Sequence, residues 1–329
     1  MTEELNHKQI FEYAQKLDEV RAEIKKGIIG QEKVVDLLLK CILCRGHILF
    51  ESVPGLAKTL LVSIVSKTMS DSSFQRIQFT PDLLPSDITG TSVYEETKGF
   101  YIIKGPIFAN FVLADEINRA PPKVQSAMLQ AMQEREVTIG RETFALPTPF
   151  MVLATMNPLE QMGVYPFSMA QLDRFFFKIF VDYPEMDEEL VIIDNNTQVK
   201  KIEEFNVEEV ISPQEIMALQ KMVRQVHLSA EVKSYAIDLV EATRNPKKHN
   251  LRSTKYIKWG ASPRASIFLL LGAKATALMA GRVYATPEDI RAVAHPVMRH
   301  RVTLSYEGKS REISSDEIID EIIQKVPVL

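Results

Sequence analysis

The stretch "HILFESVPGLAKTLLVSIVSKTM", residues 47–69, decides how the chain is read. It opens as a short apolar run, turns through Pro54 and Gly55, and continues as a long apolar-periodic segment. That succession is strand, loop, helix. It is the setting in which the pattern G-x-x-x-x-G-K-[ST] cradles phosphate. Here the loop reads "SVPGLAKT", residues 52–59, with Ser52 for the first glycine and Ala57 for the second. Lys58 and Thr59 supply a cation for terminal phosphates and a hydroxyl for Mg²⁺. Gly55 keeps one unrestricted backbone position, and Ala57 adds one methyl where the backbone would pass phosphate. Neither Ser52 nor Ala57 removes an N–H donor.

Outward from this stretch the pattern repeats. "FQRIQF" (74–79), "FVLADE" (111–116), "FMVLATMN" (150–157) and "FFFKIFV" (175–181) read as further strands. Helical segments lie between them, notably "PKVQSAMLQAMQE" (122–134), with Val124, Ala127, Met128, Ala131 and Met132 along one face. Alternating strands and helices give an α/β fold with a mostly parallel sheet sandwiched by helices. Two hairpins interrupt it. One is "SVYEETKGFYIIKG", turning near Lys98–Gly99; the other is "EVTIGRETFAL", turning near Gly140–Arg141. Upstream, apolar positions from Ile10 to Ile24 mark a helix over 8–26, and "EKVVDLLLKCIL" marks a second. Beyond Tyr183–Pro184 buried strands give way to amphipathic helices, so residues 184–329 read as a small all-helical domain after an α/β domain over 1–183. "RNPKKHNLRSTKYIKWG" (244–260) reads as a basic loop; with the lone Trp259 it is either a partner-facing surface or, the preferred reading, a loop anchored by that aromatic.

The composition suits a globular protein with a real core: 46% of the 329 residues are apolar and 25% charged. A net charge of −4 gives no global basicity, which argues against nucleic acid as the partner. The polar N-terminus is no signal peptide, and no apolar run reaches the roughly 18–20 residues of a membrane span. A cytoplasmic protein without membrane insertion is expected. Cys41 and Cys44, with His47 after them, could be a metal or redox C-x-x-C. With no second cysteine pair, two small buried residues near a helix end is the preferred reading. His295 and His300 read as structural.

Four further constellations accompany the loop. Asp115 and Glu116 end an apolar strand, where the first suits Mg²⁺ coordination and the second activation of water; the alternative is a solvated acidic turn. Asn157 follows another strand and can orient a water or read a terminal phosphate, or be an ordinary Asn-Pro turn. Arg174 lies beside a strand, either as a finger offered to a neighbouring subunit or as a solvated partner of Asp173. Arg264 falls in the first turn of a helix, an unfavourable place for a cation unless an anion faces it.

Together these segments resemble the AAA+ ATPases, and within them the MoxR branch. The likeness runs in order from Gly30–Gln31 through "RIQFTPDLLPSDITGT", "GPIFANFVLADEINRAPPKVQSAMLQAMQE", "YPFSMAQLDRFFF" and "GASPRA" to "HPVMRHR", over about residues 28–301. The resemblance implies a P-loop AAA+ core with a helical lid domain, the hairpins being a helix-2 insert near 91–105 and a pre-sensor-1 hairpin near 135–147. It implies ATP as substrate with Mg²⁺ held by Thr59 and Asp115. Nucleotide contacts would come from Gly30, Gln31, Val53, Pro54, Gly55, Leu56, Ala57, Lys58, Thr59, Leu60 and Asp115. Glu116 would be catalytic, with Asn157 as sensor 1, Arg174 as arginine finger and Arg264 as sensor 2. It also implies a ring, typically a hexamer, maturing client proteins beside a von Willebrand A domain partner. The alternative is a nucleotide-dependent assembly scaffold with little turnover. Departures from the family pattern are Ser52 and the methionines Met156, Met162 and Met169, where polar residues are expected.

Overall fold

The computed structural model describes residues 7–52, 58–97, 99–157, 163–196 and 202–328. Val53, Pro54, Gly55, Leu56, Ala57, the turn at Lys98, and Met162 lie outside the described residues.

The elements run in chain order. Helices α1 (His7–Lys25) and α2 (Glu32–Leu43) precede strand β1 (Ile48–Glu51) and helix α3 (Lys58–Lys67). Then come β2 (Phe74–Gln78), the short α4 (Pro85–Thr89), β3 (Gly90–Glu95), β4 (Gly99–Lys104) and β5 (Phe111–Asp115). Helix α5 (Pro122–Glu134) leads to β6 (Glu136–Ile139), β7 (Glu142–Ala145) and β8 (Met151–Met156). After α6 (Met169–Leu172), β9 (Phe177–Phe180) and α7 (Met186–Asn196), the chain is mainly helical: α8 (Pro213–Gln225), α9 (Ala230–Arg244), α10 (Pro263–Met279), α11 (Pro287–Met298), α12 (Tyr306–Ser310) and α13 (Ser315–Lys325). Two short strands, β10 (Ile257–Trp259) and β11 (Thr303–Leu304), fall among them.

Five strands form one sheet in the order β2-β5-β8-β1-β9, with β2–β5, β5–β8 and β8–β1 parallel. The central strands are buried almost end to end: every residue of β5 but Asp115, and every residue of β8 but Met156. Helices on both faces force such strands to be continuously apolar. Only at their carboxyl ends do polar groups reach water. The pairing Gln78↔Asp115, with Glu51↔Met156, brings those ends to one edge. In open parallel sheets this edge is where ligands bind.

The two hairpins, β3–β4 and β6–β7, stand where the alternation places them. The base of the first is built on two glycines. Gly90 has φ +98°, and a Cβ there would lie 2.2 Å from the Ile103 carbonyl oxygen. A Cβ on Gly105 would lie 2.2 Å from that of Ile88, so the two backbones cross too closely for any side chain. Tyr94 and Phe100 pair across the hairpin at 5.0 Å, both exposed.

The chain divides into two compact units. One comprises Asp18–Phe167 and Ile179–Met217; the other takes residues up to Leu17, Ser168–Lys178 and the chain from Ala218 onward. In the second unit the basic stretch 244–260 is not simply a loop. It contains a 3-10 turn, Arg252–Tyr256, and then β10, which pairs antiparallel with β11. Trp259 is 65% exposed, too open to be the anchor of this stretch; Leu251 and Ser253 are the buried residues there. His295 makes a structural contact. Its Nε2 lies 2.9 Å from Asp320 on α13, a pairing across 25 residues that no local pattern reveals. Cys41 is buried and Cys44 half-buried at the end of α2. His47 spends both ring nitrogens internally: Nε2 donates to the Met132 carbonyl at 3.0 Å, and Nδ1 accepts from the Val152 amide at 2.9 Å. Among the described residues no helix is long and apolar enough to cross a membrane.

Candidate active site

The carboxyl edge of the sheet collects the residues singled out from sequence. β1 delivers Ser52, which is buried and donates its amide to the Met156 carbonyl at 3.3 Å. Six residues on, Lys58 opens α3 and sends its Nζ back to donate to Ser52 Oγ at 2.6 Å. The ammonium is half-buried. Desolvation lowers its pKa, and the nearby carboxylates of Asp115 and Glu116 pull it back up. The first turn of α3 carries no acid, and the positive end of the helix dipole there favours an anion. Thr59 is exposed beside it and Leu60 half-buried.

Asp115 ends β5, and Glu116 follows with φ +55°. This left-handed backbone is uncommon for a residue with a side chain, and such strain concentrates at functional sites. A single hydroxyl fixes both acids. Thr155 Oγ, buried on β8, donates to Asp115 Oδ1 at 2.6 Å and accepts from the Glu116 amide at 2.8 Å. The other Asp115 oxygen accepts from Arg76 Nη2 at 2.6 Å and Nε at 3.1 Å. Glu116 Oε2 accepts from Gln78 Nε2 at 2.9 Å and Arg119 Nη1 at 2.8 Å. Asn157, half-buried, follows Met156 directly at the same edge.

Thr155, Arg76, Gln78 and Arg119 are not evident from the phosphate-loop pattern. Thr155 carries a signal: it is a lone hydroxyl within an otherwise apolar buried run, and buried polar groups need partners. Arg76 and Gln78 face one side of β2, two residues apart, as strand alternation requires.

Gly30 and Gln31 lie in the same unit. Gly30 has φ +73°, and a Cβ there would meet the Glu188 carboxylate at 2.2 Å. The Glu188 side chain could swing aside, so it is the positive φ that favours glycine here. Gln31 is the N-cap residue of α2.

The remaining two arginines belong to the other unit. Arg174 is half-exposed in the turn between α6 and β9. Arg264 is in the first turn of α10, capped by Ser262. Its Nη1 leans toward Asp173, 3.3 Å from the carbonyl and 3.5 Å from Oδ2. The anion that offsets this cation at a helix N-terminus is therefore Asp173.

The donor set fits Mg²⁺ and a nucleotide. Among the described residues no three His, Cys, Asp or Glu side chains cluster so as to hold a metal alone. One carboxylate, Asp115, and one hydroxyl, Thr59, match a hard cation that keeps water and draws its other oxygens from substrate phosphates.

Two family models match the chain: the ATPase family associated with various cellular activities (AAA) over residues 47–177, and the AAA lid domain over 249–322. Chaperone MoxR1 of Mycobacterium tuberculosis is 42% identical over 306 residues, which is 92% of this chain and 80% of that one. Protein MoxR of Paracoccus denitrificans is 30% identical across 94% of this chain and 95% of its own. A solved structure of a protein from Cytophaga hutchinsonii superposes with a TM-score of 0.91 at 45% identity, covering 98% of this chain and 97% of that one. With the strand–loop–helix, the acidic strand end and the lid in order along one chain, this protein belongs to the MoxR family of AAA ATPases.

Proposed function

We propose that the chain hydrolyses ATP within a ring of its own copies and uses the cycle to remodel a partner protein. One observation carries this reading: Thr155 holds Asp115 and Glu116 together at the edge where Lys58 opens α3. In this account Lys58, with Val53, Pro54, Gly55, Leu56, Ala57 and Leu60, holds the phosphates, while Gly30 and Gln31 border the nucleotide. Thr59 and Asp115 would hold Mg²⁺, which when bound neutralises developing charge on the phosphates. Glu116 takes the proton of the attacking water and Asn157 orients that water. Arg174, and with it Arg264, serves the site of a neighbouring copy. We place the boundary between the nucleotide-binding and lid domains near residues 183–184. MoxR1 of Mycobacterium tuberculosis is named a chaperone, and we extend that role to this chain. Its setting is then cytoplasmic, in a ring of six copies, with a von Willebrand A domain protein and a client complex as partners.

Glu116→Gln tests the reading. It keeps the shape of the side chain and removes the base, so ATP should still bind while turnover falls by about 100-fold or more. Unchanged turnover would sink the mechanism. A second reading, a nucleotide-dependent scaffold with little turnover, draws on the contacts that occupy the site's charged groups: Lys58 with Ser52, Asp115 with Arg76, Glu116 with Arg119. Phosphate release abolished by Lys58→Ala would exclude it.

A further inference from the structure

Arg299, His300 and Arg301 follow α11 and turn onto one short piece of backbone, residues 173–178. Arg299 Nη1 donates to the Lys178 carbonyl at 3.3 Å, and Asp316 holds the rest of its guanidinium at 2.8 and 3.1 Å. His300 Nε2 donates to the Phe175 carbonyl at 3.1 Å. Burial and the neighbouring Arg301 push this imidazole well below its ordinary pKa, so it is neutral and its one N–H is committed to that carbonyl.

Arg301 goes furthest. It is 2% exposed, yet all five N–H donors of its guanidinium are used. Nε donates to Asp173 Oδ1 at 2.7 Å. Nη2 donates to the carbonyls of Phe175 at 2.6 Å and Asp173 at 3.0 Å. Nη1 donates to the carbonyls of Phe176 at 3.4 Å and Val297. Its flat face lies 4.9 Å from the ring centre of Phe268, which in turn packs on Phe176 at 4.5 Å. Asp173 completes the cluster by accepting from Ser262 Oγ at 2.9 Å.

Burying a guanidinium this deeply is costly before any return, and apolar replacements of buried ion pairs are often no less stable. Stability alone is a weak reason for this group. What it achieves is positional: the carbonyls before and after Arg174 are both fixed, so the direction in which Arg174 leaves the backbone is fixed too.

We propose that Arg301 and Asp173 are positioning residues for Arg174, holding the 173–176 backbone so that the arginine is presented to a neighbouring copy's nucleotide. This rests on the reading of Arg174 as a finger acting between copies. Lysine cannot replace Arg301, because three donors on a point cannot span carbonyls on both sides of the turn.

The test uses the full chain. Asp173→Asn and Arg301→Lys are compared with Arg174→Ala by steady-state ATP turnover, fluorescent nucleotide binding and thermal melting. Each variant should keep its nucleotide affinity and lose roughly 10–100-fold in kcat, the cost of misplacing a catalytic group by about 1 Å. Each is then mixed with excess Glu116→Gln chains, which have a dead site but an intact Arg174. Turnover per Asp173→Asn or Arg301→Lys site should recover to the extent that Arg174→Ala does, a gain that a merely structural defect would not show. Recovery of Arg174→Ala but not of the other two would overturn the proposal and leave the finger in place. Failure of Arg174→Ala to recover would remove the finger reading itself, and the proposal with it.

Discussion

Ser52→Ala asks what the altered first residue of the phosphate loop does. Ser52 Oγ accepts from Lys58 Nζ at 2.6 Å. A hydrogen bond to a charged group contributes about 1.5–3 kcal/mol where both partners are buried. Lys58 is only half-buried, and solvent screening reduces this to about 1 kcal/mol. Phosphates would draw on the same ammonium, so the bond competes with nucleotide binding. Removing the hydroxyl should cost the free protein about 1 kcal/mol and tighten nucleotide binding by up to about fivefold. Equilibrium titration of a fluorescent ATP analogue measures this directly. Repeating it in a Lys58→Ala background closes a double-mutant cycle, in which Ser52→Ala should have no further effect. Weaker binding in Ser52→Ala, or the same gain without Lys58, would refute the reasoning.

Three contacts elsewhere in the structure can be tested in the same way. Arg76→Ala frees the Asp115 carboxylate from a partly exposed ion pair worth about 1 kcal/mol, and should lower the Mg²⁺ needed for half-maximal nucleotide affinity several-fold; an unchanged Mg²⁺ requirement contradicts this. Burial and the Arg135 guanidinium push His47 down to about 3. The unfolded chain therefore binds a proton below about pH 6.5 that the native state refuses, and stability should fall by about 1.4 kcal/mol per pH unit from this group as pH drops from there toward 3. Denaturant titrations of His47→Gln across that range should show a slope shallower by one proton. Gly105→Ala drives a methyl into the Ile88 carbonyl and should destabilise the protein by about 2–4 kcal/mol, read as a lowered Tm; a melt within error of the parent would refute the crossing at the hairpin base.

Much of the architecture was legible because burial writes itself into sequence. β5 and β8 are buried runs, apolar but for Thr155 until their last residues, and they bring Asp115 and Met156–Asn157 to one edge of the sheet. The hairpins declared themselves by alternation and by Gly140. What escaped was set by pairing across the chain. Arg76 and Gln78 meet the acids only because β2 lies beside β5 in register. Thr155 acts between two strands, and nothing local says which oxygen it will face. Trp259 misled for a related reason: an aromatic in a polar stretch suggests an anchor, but pairing of β10 with β11 leaves it exposed. The role of Arg301 was equally hidden, since its partners lie about 125 residues earlier.

A working ATPase whose site is completed by a second copy must depend both on its phosphate-loop lysine and on protein concentration. Steady-state phosphate release with Mg-ATP over a range of protein concentrations, wild type beside Lys58→Ala, tests it most directly. The account predicts turnover per chain that rises cooperatively with concentration and vanishes in the variant. Turnover per chain that is independent of concentration, or that survives Lys58→Ala, would contradict it.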